Sequence, residues 1–298
     1  MKRQLQIEVV SDRVSVLGES PVWCSQAQAL YWVDIRGEKI NRVSSDGKGC
    51  SWNTGKRIGA LGLAANGGMI ATMDDGLYAM DPDPTATDDI VSRRLIAQPA
   101  LANGVRLKEG KVDPSGRYWC GSTGSRERAE GGLFRLDLDG SCEQVDKDFI
   151  LVNGIAFSPD ARTLIVADTI ADNVFAYDFD ANDGHISGKR LFFSSAEFPG
   201  GVDGATFDVD GGYWCAFVHD GCIGRIDPSG RLDRLIRLPV RDTTMCAFGG
   251  ANLDVLYVTT ASCFLSEIER PSQPLAGSLF AIRGTGAQGV PEPLYRGR

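Results

Sequence analysis

The sequence predicts an all-β fold, a six-bladed β-propeller with a central metal-binding channel. Three observations carry that prediction. First, the chain returns six times to one phrase, an apolar strand core ending in a small or polar residue: QALYWVDI (28–35), GGMIATMD (67–74), GRYWCGST (116–123), RTLIVADT (162–169), GGYWCAFV (211–218) and DVLYVTTA (254–261). Their starts lie 39, 49, 46, 49 and 43 residues apart. A period of about forty to fifty residues made of short strands is that of a propeller blade. Second, each copy is followed by a shorter phrase, from EKINRVSSDG to GSLFAIRG, that reads as the next strand and its turn. Third, no amphipathic helical pattern longer than about ten residues interrupts the series.

The strand cores are rich in β-branched and aromatic residues and are bounded by Gly, Asp, Asn and Pro. The turns are explicit at Asp113-Pro-Ser-Gly116, Asp137-Leu-Asp-Gly140, Asp208-Val-Asp-Gly211 and Asp227-Pro-Ser-Gly230, and 36 glycines match the need for tight turns. Segment 85–98 reads as a helical turn or as an outer strand with its loops. The irregular stretches 124–130, 194–201 and 263–276 fall between strands and are expected over one end of the channel. Residues 3–10 alternate and are expected to add an outermost strand beside a C-terminal strand near 292–296, protecting the open edges. The repeat fills the chain, so residues 1–298 are read as one domain.

Composition narrows the partners. The net charge is −8, from 31 Lys and Arg against 39 Asp and Glu. Phosphate backbones and anionic membranes select for clustered Lys and Arg, so neither nucleic acid nor membrane is expected as a partner. No apolar signal segment opens the chain and no stretch approaches a membrane span, so a cytoplasmic protein is expected, monomeric or weakly homo-oligomeric. The eight cysteines show no C-x-x-C spacing, and Cys120 and Cys215 follow Tyr-Trp at equivalent blade positions. Buried free thiols are therefore expected rather than a disulfide framework. With only His185 and His219 in the chain, a Ser-His-Asp triad or a multi-histidine zinc site is not expected. His185 reads as a solvated turn residue, and His219 as a structural residue near a channel mouth.

A propeller aims the innermost strand of every blade at one axis, so residues distant in sequence become neighbours there. Aligning the segments before the strand cores places Glu19, Glu109, Asn153 and Asp203 at one position in four blades; Gly59-Ala-Leu-Gly-Leu-Ala and Met245-Cys-Ala-Phe-Gly-Gly fill blades two and six. Taken singly, each acid would cap a turn or pair with an arginine. Taken together, three carboxylates and an amide in a narrow channel would repel one another, and a divalent cation relieves that repulsion. Oxygen donors of this kind suit hard ions such as Ca²⁺, Mg²⁺ or Mn²⁺, with Zn²⁺ still possible.

Four segments carry a family resemblance: Leu17-Gly-Glu-Ser-Pro-Val-Trp23, Asp113-Pro-Ser-Gly-Arg-Tyr-Trp-Cys-Gly121, Val152-Asn-Gly-Ile-Ala-Phe-Ser-Pro-Asp160 and Val202-Asp-Gly204. In this order they resemble the senescence-marker-protein/regucalcin/gluconolactonase family, over about residues 14 to 285. The resemblance implies a six-bladed propeller holding one divalent metal (Ca, Zn, Mn, Mg or Fe) and hydrolysing lactones of sugar acids. It implies Glu19, Asn153 and Asp203 as metal ligands, Asp203 also as general base, and Arg106 as a substrate contact. The chain departs from the family's Arg-x-Asn-Asp-Gly at Arg106-Leu-Lys108-Glu109-Gly110. Either Lys108 pairs with Glu109 or another acid, or it adds positive charge beside the substrate and favours a second anionic group, as in an aldaric lactone.

The expected function is thus a metal-dependent hydrolase opening a sugar-acid lactone, aldonic or aldaric. Asp203 takes the proton of the attacking water, and Glu109, which shares its place in the repeat, is the second candidate base. Three alternatives stand: a metal-dependent phosphotriesterase-like hydrolase, a calcium-binding regulatory propeller that turns nothing over, and a protein-interaction propeller, against which the channel acids count. Two motifs are decoys. Gly284-Thr-Gly286-Ala-Gln-Gly289 leaves no room for a βαβ unit, and residues 178–189 lack the glycine and closing glutamate of a calcium loop.

Overall fold

The computed structural model describes residues 4–83, 85 and 89–297 of the 298. It consists of six four-stranded antiparallel sheets, with one 3₁₀ turn, Arg270–Ser272, as the helical element among the described residues. In chain order the strands are β1 (Gln6–Val9), then β2 (Gly18–Cys24), β3 (Ala29–Asp34), β4 (Lys39–Ser44) and β5 (Gly49–Asn53) in blade one. Blade two holds β6 (Ile58–Leu63), β7 (Met69–Met73), β8 (Gly76–Asp81) and β9 (Ser92–Ala97). Blade three holds β10 (Arg106–Val112), β11 (Tyr118–Thr123), β12 (Gly131–Leu136) and β13 (Cys142–Phe149). Blade four is β14 (Val152–Phe157), β15 (Thr163–Asp168), β16 (Asn173–Phe179) and β17 (Ile186–Ser194). Blade five is β18 (Val202–Phe207), β19 (Tyr213–Phe217), β20 (Cys222–Ile226) and β21 (Leu232–Arg237). Blade six is β22 (Thr243–Gly249), β23 (Val255–Thr260), β24 (Phe280–Arg283) and, outermost, β1.

The six repeated phrases are the second strand of each blade. Segment 85–98 supplies β9, and its residues 86–88 lie outside the described residues. The N-terminal strand does close the last blade, but its partner is β24, with Gln6 opposite Arg283 and Val9 opposite Phe280. Residues 292–296 do something else. The chain after β24 crosses the far end of the propeller, bridging Gly289 to Asp208 and Tyr295 to Ala64, and Lys111 Nζ meets Glu292 Oε1 at 2.7 Å there. The strand expected near 292–296 does not form, and two prolines, Pro291 and Pro293, remove ladder donors from that stretch.

The core lies between blades, where the alternating inner faces of adjacent sheets meet. Trp32, Trp52, Trp119 and Trp214 are fully buried there. The Asp-x-x-Gly turns do more than reverse the chain. Buried Asp113 accepts from Trp119 Nε1 (3.0 Å) and Arg117 Nε (2.6 Å), and buried Asp208 accepts from Trp214 Nε1 (2.7 Å) and Arg225 Nε (2.6 Å). The indole can be buried because its N–H has a partner. All eight cysteines are free thiols, four buried and four half-buried. Among the described residues no helix is long and apolar enough to cross a membrane.

Candidate functional site

The ladder register defines a ring at one end of the channel. The seventh residue of each repeated phrase pairs with an inner-strand residue: Asp34 with Gly18, Met73 with Ile58, Ser122 with Leu107, Asp168 with Val152, Phe217 with Val202 and Thr260 with Thr243. One residue further along each inner strand stand Glu19, Gly59, Lys108, Asn153, Asp203 and Thr244. All six inner strands shift register at or just beyond this residue, each carrying one extra residue. A bulge bends the strand and re-aims its side chains, and it recurs next to functional sites. Ser20 (φ 49°) and Glu109 (φ 22°) take the left-handed backbone this requires, and Gly154 (φ 57°) takes it without a Cβ that would strike Tyr213.

The structure therefore brings Glu19, Asn153 and Asp203 to one level but puts Lys108, not Glu109, beside them. Glu109 is the extra residue of the blade-three bulge and accepts the Ile155 backbone N–H of blade four. Matching Glu109-Gly110 to Asn153-Gly154 and Asp203-Gly204 hides this, because relative to the shared glycine the bulge in β10 comes one residue earlier. It also passed over Thr244, which begins one residue before the blade-six segment aligned above. Thr244 Oγ1 donates to Gly18 O at 2.5 Å, pinning β22 against the strand that carries Glu19. Gly59 completes the ring because a Cβ there would lie 2.8 Å from Lys108 Cα.

The ring is buried and charged. Glu19, Lys108, Glu109, Asn153 and Asp203 are all buried. Burial raises the Glu19 pKa well above the usual carboxylate value, and Asp203 and then Glu109 add to the rise while Lys108 opposes it. Burial likewise raises Asp203, with Lys108, His219 and Arg126 opposing. Glu109 is pushed up to about 7 by burial, with Lys108 pulling it down and Asp203 raising it. Three acids and one ammonium leave this channel with a net charge of −2, two positive charges short of neutrality, when all are ionised.

Three buried oxygens there have no hydrogen-bond partner: Asn153 Oδ1, Asp203 Oδ1 and Glu109 Oε1. An orphaned buried acceptor is costly and asks for a missing donor or ion. The Asn153 amide is oriented by a relay, its Nδ2 donating to Thr169 Oγ1 (2.7 Å) and Thr169 Oγ1 to Val202 O (2.6 Å). That relay fixes the amide plane and leaves Oδ1 as its free acceptor. Among the described residues, no three His, Cys, Asp or Glu side chains gather to hold a metal. The set that converges is two carboxylates and an amide oxygen, Glu19, Asp203 and Asn153, and its hard oxygen donors suit a divalent cation of the Ca²⁺, Mg²⁺ or Mn²⁺ kind. Thr169 went unread in the sequence because it ends a strand phrase, where a small polar residue is ordinary.

The mouth above the ring is cationic. Arg106 opens β10, and Asp74 Oδ1 stands 3.6 Å from its Nη1, which has no hydrogen-bond partner. Burial lowers the Arg106 pKa; Asp74 opposes that, and Arg57, Arg36 and Arg126 deepen it, so four guanidiniums share this end. Arg126 belongs to the 124–130 segment between β11 and β12, and 194–201 and 263–276 also lie at this end. His185 lies in the exposed loop between β16 and β17, and His219, also as expected, lies near the mouth, with Nδ1 2.6 Å from Asp242 Oδ1.

Six blades surround an acid-lined channel, crossed at one end by the C-terminal segment and flanked at the other by Arg36, Arg57, Arg106 and Arg126. Residues 17–262 match the family described as SMP-30/Gluconolactonase/LRE-like region, and the chain belongs to that family. It is 35% identical to the 6-deoxy-6-sulfogluconolactonase of Pseudomonas putida, over 98% of this chain and 99% of that protein. It is 32% identical to the regucalcin of Xenopus laevis, again over 98% and 99%. A solved structure of a calcium-binding protein, regucalcin from Agrobacterium tumefaciens, superposes with a TM-score of 0.88 at 26% identity, covering 97% of this chain and 96% of that one.

Proposed function

We propose that this protein is a divalent-metal-dependent lactonase that opens the lactone ring of an anionic sugar acid. The observation that carries the reading is the ring of Glu19, Asn153 and Asp203, with unpartnered buried oxygens, directly below an arginine-rich mouth. Glu19, Asn153 and Asp203 would hold the cation, which when bound supplies a Lewis acid for the lactone carbonyl. Asp203 takes a proton from the attacking water; burial has already raised its proton affinity toward that task. Glu109, buried and pushed up to about 7, can donate a hydrogen bond to a sugar hydroxyl while protonated. Arg106 meets the substrate at the mouth.

Lys108 sets the substrate class. It shares the ring with Glu19 and Asp203, so it partly neutralises them, and it adds to the positive field of Arg106 and its neighbours. A lactone with a second anionic group, a carboxylate or a sulfonate, would complement that field. The relative from Pseudomonas putida is named for a 6-sulfonated gluconolactone. The test is a pH-indicator screen of aldonic, aldaric and 6-sulfonated lactones, with Ca²⁺, Mn²⁺, Mg²⁺ or Zn²⁺ restored to chelated protein. The expected result is metal-dependent acid release, favouring the anionic lactones by about tenfold or more in kcat/KM, one charge contact being worth about 1.5–3 kcal/mol. Lys108→Asn should erase that preference. Unchanged preference removes the role of Lys108; no lactone turnover with any metal removes the lactonase reading.

A further inference from the structure

The mouth holds a second acid–base group that the lactonase reading has not used. Residues 218–221 form the hairpin turn between β19 and β20, at the same end as Asp203. Val202 pairs with Phe217, Val218 N–H donates to Gly201 O at 3.2 Å, and a Cβ on Gly200 would lie 3.0 Å from His219 Cδ2. The imidazole thus stands over the backbone that leads into Asp203. Its Nδ1 is 2.6 Å from Asp242 Oδ1, whose side chain is fully buried while the ring is 34% exposed. Arg241 braces that carboxylate, with Nη2 at 3.1 Å from Asp242 Oδ2, and is itself tied to Glu269 at 2.7 Å and to Phe264 O at 2.8 Å. Phe264 meets the imidazole edge-on with centroids 4.9 Å apart. His219 holds a left-handed backbone, φ 68°. A ring fixed at Nδ1 by a buried carboxylate, packed on one side and open on the other, is oriented to work through Nε2.

We propose that His219, oriented by Asp242, is the general acid that protonates the ring oxygen as the lactone opens. The proposal rests on the lactonase reading. Water adds to the carbonyl carbon while Asp203 takes its proton. The bond from that carbon to the ring oxygen then breaks, and the oxygen receives the Nε2 proton of the imidazolium. Asp203 releases its proton to solvent and His219 regains one, so the sum is lactone plus water giving hydroxy acid. The charged groups about the ring are Asp242 and Arg241 from the segment before β22, Asp203 from β18, Asp220 beside it, and Glu269 acting through Arg241. The charge of His219 is felt at Asp203, whose ionised form it favours.

The test separates leaving-group chemistry from structure. D-glucono-1,5-lactone and its ring-sulfur analogue present the same hydroxyls, but a thiolate leaves without a proton and an alkoxide does not. The variant is His219→Asn, because asparagine tolerates the left-handed backbone and cannot transfer a proton. In the full chain supplied with Mn²⁺, His219→Asn should lose about 100-fold or more in kcat on the oxygen lactone, in the range of general acid catalysis, and less than about threefold on the thiolactone. Asp242→Asn should show the same asymmetry, less strongly. Equal losses on both substrates in a folded His219→Asn protein overturn the proposal and leave the lactonase reading intact, as does an asymmetry found in Glu109→Gln and absent from His219→Asn. Wild-type protein that opens neither these two substrates nor the anionic lactones, with any of Ca²⁺, Mn²⁺, Mg²⁺ or Zn²⁺, removes both.

Discussion

At the scale of single residues, the site depends on a side chain that is not one of its candidate metal donors. Thr169 accepts from Asn153 Nδ2 and donates to Val202 O, so one hydroxyl orients a candidate metal donor and steadies the backbone before Asp203. Thr169→Val keeps the shape and removes both bonds. A buried amide N–H and a buried carbonyl are then left unpaired, which costs about 1–3 kcal/mol in denaturant unfolding. Loss of an orienting partner also weakens cation binding by about 10–100-fold, readable by calorimetric titration with Ca²⁺ or Mn²⁺. Unchanged cation affinity in the destabilised variant would show that the relay serves folding alone. Glu19, Asn153 and Asp203 were legible in the sequence because the repeat places them alike. Thr169 was not, since its role appears only when two blades are set side by side.

At the scale of elements, legibility ended where backbone geometry breaks the repeat. Six strand phrases announced six blades because turn chemistry and period-two alternation are local. The one-residue bulge is not local in that sense. It is defined across the ladder, where Lys108 faces Gly121 and Gly110 faces Cys120, with Glu109 between them. A motif alignment therefore placed Glu109 on the ring, and the ladder places Lys108 there. The C-terminal segment shows the same limit. Its residues match no blade phrase because they form no strand; they cross the far end from Asp208 to Ala64. There the Lys111–Glu292 pair is only 12% and 11% exposed, and Tyr295 is buried. Glu292→Gln keeps the segment in place but leaves Lys111 without its counter-ion in that setting. Removing one partner of a buried pair costs about 3–5 kcal/mol, so this variant should lose about that much stability in denaturant unfolding. Unchanged stability would mean that the segment is a cover and not a strap.

At the scale of the whole molecule, the propeller gathers like charge on its axis, and that makes its stability depend on pH in an unusual direction. Most acids in a folded protein have partners that lower their pKa, as Asp146 does with Lys189 and Tyr177 despite partial burial. The channel acids are the reverse: Glu19, Glu109 and Asp203 are all raised, with burial as the main cause in each. A raised folded-state pKa means that the folded protein keeps a proton the unfolded chain has already lost. The stability contributed by Glu109 is thus fully present below its unfolded value near 4.5 and is lost as pH rises through about 7. At 1.36 kcal/mol per pH unit the loss from this residue alone is about 3 kcal/mol. In chelated protein, the wild type should therefore lose stability relative to Glu109→Gln between about pH 4.5 and pH 7, as read from denaturant midpoints. Adding a divalent cation should flatten the wild-type curve, because the ion neutralises in the folded state the charge that burial penalises. A wild type and Glu109→Gln that run parallel across this range would show that the carboxyl of Glu109 is hydrated or paired in solution, and the charge argument for a cation on the axis would lose its electrostatic half.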